Sequence, residues 1–235
     1  ESVCFARYWN FQRLYWHHTN RAMAAMIIWT IRRLYLTTGL NLSPADYFEH
    51  TQIHSEAGAL EFLDRAYTTH SNGEFAPIEG LATDRDRAYK RIFERSFSEF
   101  PAILTSFREK SAGAKARDDA SMRIVEVVDK FARSHGYKDP IASYEVLLDV
   151  PLRDMGLGGR IFIKTRDGAI KEGIAASRVL RELEHNFVLM STILRVFVSP
   201  KIRDGVGRRV WDRESAVLSA RIVRAVKGEE QSDVN

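Results

Sequence analysis

"SYEVLLDVPL", Ser143–Leu152, is where this chain changes character. Together with "GRIFIKT" (Gly159–Thr165) it is a short run rich in Val, Ile and aromatic residues, the composition of β-strands. "RDG" at Arg166–Gly168 reads as a turn. "AASRVLRELEHNFVLMSTI" then reads as a helix, and "LRVFVSP" as a third strand closed by Pro200. Almost everything before Ser143 carries helical periodicity instead.

From Phe5 to Leu36, apolar residues recur mostly at spacings of three and four: Phe5, Trp9, Trp16, Met23, Met26, Ile27, Ile31, Leu34. That period describes one long buried helix or two helices end to end. "TTGLNLSPADYFEH" supplies a stop and a restart, with Gly39 as C-cap and Ser43 as N-cap before Pro44. "SEAGALEFLDRAYTTH" repeats the pattern behind Ser55, and "SNGEFAPIEGLATDRDR" is a loop rich in turn formers. "RDRAYKRIFERSFSEF" reads as an amphipathic helix ending before Pro101. "DDASMRIVEVVDKFARSHG" reads as another, capped by Asp118 or Asp119 and stopped by Gly136. The expected fold is therefore mainly α: a helical region over residues 1–136, then a small α+β region with a short antiparallel sheet over 137–227. Residues 228–235 form a polar, acidic tail expected to be disordered. There is no internal repeat.

With 235 residues, 45% apolar and 28% charged, the composition is that of an ordinary globular protein. The single cysteine, Cys4, excludes an internal disulfide framework and a cysteine-based zinc site, in keeping with a reducing, cytoplasmic setting. A net charge of +4 favours anionic partners such as nucleotides, nucleic acid or acidic protein surfaces. The most apolar run, "AMAAMIIWTI", is closed by Arg32 and Arg33, far short of the ~20 residues that cross a bilayer. Arg7 lies too close to the aromatic cluster for a secretory leader, and no cleavage pattern follows.

The stretch "ARYWNFQRLYWHHTNRA", Ala6–Ala22, packs five aromatics, two histidines and three arginines into one helical run. A plain core helix needs only the aromatics, so a second face contacts something else. The longer string "ESVCFARYWNFQRLYWHHTNRA" resembles a helix of the HD-domain deoxynucleoside triphosphate triphosphohydrolases, which lies downstream of that family's last metal-binding aspartate. "RAYKRIFE", then "YEVLLDVPLRDMGLGGRIFIKTRDG", a helix and "LRVFV" resemble the same family's C-terminal helical and α+β region. The resemblance spans roughly residues 1 to 200 and rests on the order and spacing of these strings.

The family's metal site uses a histidine, a His-Asp pair and a distant aspartate to hold a divalent ion (Mg, Mn, Fe or Zn) that activates water. This sequence contains no His-Asp dipeptide. The resemblance thus implies the C-terminal half of such an enzyme, with the metal-bearing half upstream or on another chain. It implies no catalytic residue and no metal ligand in these 235 residues, which alone should be inactive. It aligns Tyr15 with a tyrosine that packs on the substrate's deoxyribose and excludes a ribose 2′-hydroxyl. It aligns Arg13 and His17 with contacts to the phosphates of an activating nucleotide. His18 stands where the family often has lysine. Nucleotides and a homo-oligomer are the partners the resemblance implies.

Each position also has a plainer reading. Arg13 and His17, four apart on a helix, share a face and fit either phosphate oxygens or a solvated surface pair. Tyr15 fits a core aromatic as well as a sugar wall. Tyr8, Trp9, Phe11 and Trp16 read as core or subunit interface. His50 and His54 have the i, i+4 spacing of a helical metal site but no third ligand nearby. "SPKIRDGVGRR" places Lys201, Arg203, Arg208 and Arg209 in a loop that either binds phosphate or is simply solvated. "RIVRAVK" adds helical positive charge suited to nucleic acid, without the aromatics of base stacking. "GLGG" at Gly156–Gly159 is a turn between strands, with no following helix to make a dinucleotide loop. The rival to a hydrolase half is a non-catalytic assembly module that binds a protein or nucleic acid.

Overall fold

The computed structural model describes residues 5–6, 9–10, 17–38, 61, 63, 65–66, 68–69, 88–96, 99–109, 112–150, 162–191 and 193–229, with the backbone alone at 35, 37–38 and 187–191. Among these residues the chain is mainly helical with a small antiparallel sheet. In chain order the elements are α1 (His18–Thr38), β1 (Lys90–Ser96), α2 (Pro101–Arg108), α3 (Gly113–Ser134), β2 (Val146–Asp149), β3 (Phe162–Lys164), β4 (Ile170–Glu172), α4 (Gly173–Ala176), α5 (Arg178–Ser191), β5 (Ile193–Val198), α6 (Pro200–Val206), α7 (Arg208–Arg213) and α8 (Ser215–Lys227).

The main sheet has the order β1-β5-β2, all antiparallel, so the last strand in sequence is the central one. Its two faces carry different cores. Leu194, Val196 and Val198 of β5 face one side with Phe93 and Val146, beneath Ile124, Val128 and Phe131 of α3 and Leu218 and Ile222 of α8. Phe197 faces the other side with Leu147, beneath Ala22, Ala25, Met26 and Leu34 of α1. A strand covered on both faces reads as a near-continuous apolar run, which is why "ILRVFV" lacks alternation. Ala22 and Ala25 have small side chains that let α1 lie close on the sheet. Each large side chain fully buried here, such as Phe131 or Phe197, is worth about 1.5–3 kcal/mol relative to exposure.

Two sequence expectations are corrected. Within "RDRAYKRIFERSFSEF", Lys90–Ser96 form β1, not an amphipathic helix. Its apolar residues fit both periods, and pairing with β5 decides between them. The register passes from Arg91↔Phe197 to Phe93↔Val196, so Ile92 is an extra residue in a β-bulge. "PKIRDGVGRR" is not a loop: Ser199 accepts the Ile202 N–H as N-cap, Pro200 opens α6, and Gly207 (φ 92°) separates α6 from α7. In addition, α3 begins at Gly113, ahead of Asp118 and Asp119, and ends before Gly136 (φ 87°). The expected boundary at 136/137 runs through shared structure. β1 lies before it while β2 and β5 lie after, and α3 packs on α8 through one core. Among residues 55–70, the described ones at 61, 63, 65–66 and 68–69 are helical. The expectations at Gly39, Ser43, Ser55, the 71–87 loop, "GLGG" and the tail beyond Glu229 lie outside the described residues.

Gly113 sits where α3 starts against the end of α2. A Cβ there would lie 2.5 Å from the Phe107 carbonyl oxygen and 2.9 Å from its carbon. Alanine in a helix is favoured over glycine by up to about 1 kcal/mol, but a clash with backbone cannot be relieved by a rotamer change. Gly113→Ala should therefore destabilise the protein by about 1–3 kcal/mol, read as a lower urea midpoint at unchanged m-value. An unchanged or raised midpoint would contradict the tight α2–α3 junction.

Candidate functional site: a charged row beneath the start of α1

On the α1-facing side of the sheet, Glu94, Arg195 and Asp149 stand opposite one another across β1, β5 and β2. They form one lateral row of alternating charge. The bulge at Ile92 brings Arg91 to this same side, whereas residues three apart on a regular strand would face opposite ways. Arg91 donates to Glu94 Oε2 at 2.6 Å, and Arg195 Nε donates to the same oxygen at 3.0 Å. Arg195 Nη1 lies 3.9 Å from Asp149 Oδ2. At the other end Arg21, on the first turn of α1, grips Asp149 with both arms, Nε donating to Oδ2 at 2.9 Å and Nη2 to Oδ1. The sequence reads plus, minus, plus, minus, plus.

Burial grades along the row. Arg195 and Asp149 are each 3% exposed at the side chain, Arg21 is 19% and Glu94 is 36% exposed. Burial pushes the Arg195 guanidinium below its ordinary value, against the pull of Glu94 and Asp149. Its neighbours hold the charge in place, and the bidentate Arg21–Asp149 pair fixes the start of α1 to β2.

His17 and His18 stand at that same end. His17 is a bend residue just before α1, and its Nδ1 accepts the Thr19 N–H at 3.4 Å in the manner of an N-cap. The two rings lie 4.2 Å apart between centroids. Burial lowers the His18 pKa from 6.5, and His17, Arg91 and Arg195 lower it further while Glu94 opposes them. His18 is therefore neutral at pH 7, in a corner where several guanidiniums leave positive potential.

Of the residues singled out in the sequence, Arg13, Tyr15, His50 and His54 lie outside the described residues. Trp9, helical like Phe5, is 41% exposed. Lys201 and Arg203 are not brought to His17. They sit on α6, whose Ile202 and Val206 pack into the α3/α8 core, while His17 precedes α1 on the opposite face. Lys201 pairs with Asp139 at 3.0 Å, and the Arg203 carbonyl accepts the Trp211 indole N–H at 3.0 Å. Arg208 lies 3.9 Å from Asp212. His135 is an inward-leaning helix-end residue, its Nδ1 2.9 Å from the Phe131 carbonyl oxygen. Among the described residues no three His, Cys, Asp or Glu side chains gather as a metal site requires, and no helix is long and apolar enough to cross a membrane.

Sequence reasoning passed over Arg21, Arg91, Glu94, Asp149 and Arg195. The available signal was a single arginine inside "ILRVFV" and a single aspartate ending "VLLD", charges in runs otherwise fit for burial. Comparison of the chain with protein-family models, with curated proteins and with solved structures finds no match.

Two outcomes follow. Asp149→Ala removes the carboxylate that Arg21 grips and that faces the buried Arg195, so it should cost about 3–5 kcal/mol in chemical denaturation. Arg195→Met removes the buried cation itself and leaves each carboxylate with an arginine, so it should cost clearly less; equal losses would contradict the row. For His18, the folded pKa lies below the unfolded one, so the unfolded chain binds more protons between the two. Its contribution to stability is full above pH 6.5 and is lost as pH falls from there toward the folded value. An NMR titration should place the His18 ring below 6.5, and His18→Gln should flatten stability over that window.

Proposed function

We propose that this chain is the nucleotide-facing, C-terminal part of an HD-type phosphohydrolase that converts a dNTP to deoxynucleoside and triphosphate. One observation carries the reading. The four strings on which the resemblance rests each give a residue to the charged row or its edge: His17, His18 and Arg21 from "YWHHTNRA", Arg91 and Glu94 from "RAYKRIFE", Asp149 from "YEVLLDVP" and Arg195 from "LRVFV". Strings scattered over nearly 180 residues of sequence thus meet at one charged corner, which supports a shared role for them.

In this reading a divalent metal held by a segment with the His…His-Asp…Asp ligands supplies the activated water for attack on phosphorus. This chain contributes recognition. Tyr15 walls the deoxyribose and refuses a 2′-hydroxyl. Arg13 and His17 meet phosphate oxygens, with His18 beside His17 as a neutral imidazole that gains a proton when polyanionic oxygens approach. The Arg21–Asp149–Arg195 row holds the helix start at which His17 and His18 stand. Lys201 and Arg203, on the other face, serve as a separate basic surface and not as part of this site. The enzyme works in the cytoplasm as an oligomer, with nucleotides at or near its interfaces.

The test is triphosphate release from each of the four dNTPs with Mg²⁺ or Mn²⁺, with and without GTP, followed by HPLC. The chain alone is compared with the chain joined to a segment that carries the metal ligands. Turnover in the joined form only, with Tyr15→Ala eroding discrimination against ribonucleotides, is the expected result. Absence of both turnover and nucleotide binding in either form would sink the proposal and favour an assembly module.

A further inference from the structure

Residues 162–186, covering β3, β4, α4 and the start of α5, take no part in either apolar core. Leu180 is the one buried large apolar side chain among them, whereas Phe162 is 58% exposed, Ile170 71%, Ile174 43% and Val179 51%. A two-stranded hairpin is marginal by itself in water. This one nevertheless has a pre-ordered turn. Thr165 N–H donates to the Ala169 carbonyl at 2.8 Å, the Thr165 hydroxyl bonds to Asp167, and Gly168 (φ 84°) closes the loop. An ordered hairpin with bare apolar side chains is the mark of a contact surface.

The register says what it contacts. Phe162 pairs with Glu172 and Lys164 with Ile170, so these four side chains share one face while Ile163 and Lys171 take the other. The four form the corners of a rectangle, with the apolar pair on one diagonal and the opposite charges on the other. That pattern is self-complementary. Turn a second copy about a two-fold axis lying along the Phe162–Ile170 diagonal. Phe162 then meets the partner's Phe162, Ile170 meets the partner's Ile170, and Lys164 lies over the partner's Glu172. No other two-fold placement in that plane puts apolar on apolar while matching both charges.

We propose that the β3–β4 hairpin is a homodimer surface on which a second copy of this chain docks face to face across that axis. Ile174 of α4 and Val179 of α5, which follow the hairpin in the chain, are exposed as well. A standard interface buries about 800 Å² per partner, more than four apolar side chains supply, so a weak, concentration-dependent dimer is the form expected. The inference does not depend on nucleotide hydrolysis and stands or falls separately.

Sedimentation velocity of the whole chain from about 1 to 200 μM tests it. Wild type should pass from monomer to dimer over that range. The double variant Phe162→Ser, Ile170→Ser should remain monomeric, with an unchanged melting temperature that shows the main sheet intact. Lys164→Glu and Glu172→Lys should each weaken self-association by about tenfold. An equimolar mixture of those two single variants should recover it, since the mixed pair restores opposite charges at both contacts. A wild type that stays monomeric, a dimer indifferent to hairpin substitutions, or a mixture no tighter than the single variants would each overturn the proposal.

Discussion

Arg195 carries a full positive charge at the centre of the sheet, with 3% of its side chain exposed, and much of the surrounding structure is arranged to tolerate it. An isolated guanidinium in that position would cost several kcal/mol in lost hydration. Glu94 and Asp149 flank it on neighbouring strands, and Arg91 and Arg21 hold those carboxylates from outside. Each member explains a feature that otherwise has no cause. The bulge in β1 exists where Arg91 must turn to the same side as Glu94. The first turn of α1 sits over β2 because Arg21 reaches Asp149 with two parallel bonds.

Stability and position come from different parts of this arrangement. The layer of α3 and α8 beneath the sheet is apolar throughout and supplies most of the burial. Its helix ends are tied by polar bonds, such as Arg123 Nε donating to the Ala225 carbonyl at 2.7 Å just before Gly228 ends α8. The α1 layer has a smaller apolar core and depends on the ion row for its register along the strands. A buried ion row adds little net stability compared with apolar packing, but it penalises every misplacement. It therefore fixes the start of α1, where the His17–His18 pair stands, at a defined point on the sheet.

How much of this was legible varies with the element. β2, β3 and β5 were readable because their runs are short, β-branched and bounded by turn formers. α3 was readable from its period, although its start was not, since Gly113 begins the helix without a capping side chain. β1 was misread because Tyr89, Ile92 and Phe93 satisfy a helical period as well as a strand, and the partner that decides lies about a hundred residues away. Of the candidate site, the His17 position came from a family resemblance. Arg21, Glu94, Asp149 and Arg195 carried almost no local signal, because a charge that neutralises another across a sheet obeys no sequence spacing.

By itself the sequence determined what each segment is able to be. Periodicity and turn residues set α1, α3, α5 and three of the strands, a single cysteine excluded an internal disulfide, and the sequence holds no His-Asp pair. Tertiary structure alone decided which strand lies in the middle, which face each charge takes, and that Lys201 and Arg203 stand across the sheet from His17. The reason is physical. Local conformation depends on neighbours within a few residues, which a sequence lists in order. Ion pairing and burial depend on neighbours in space, and those exist only once β1, β5 and β2 have been brought together from distant parts of the chain.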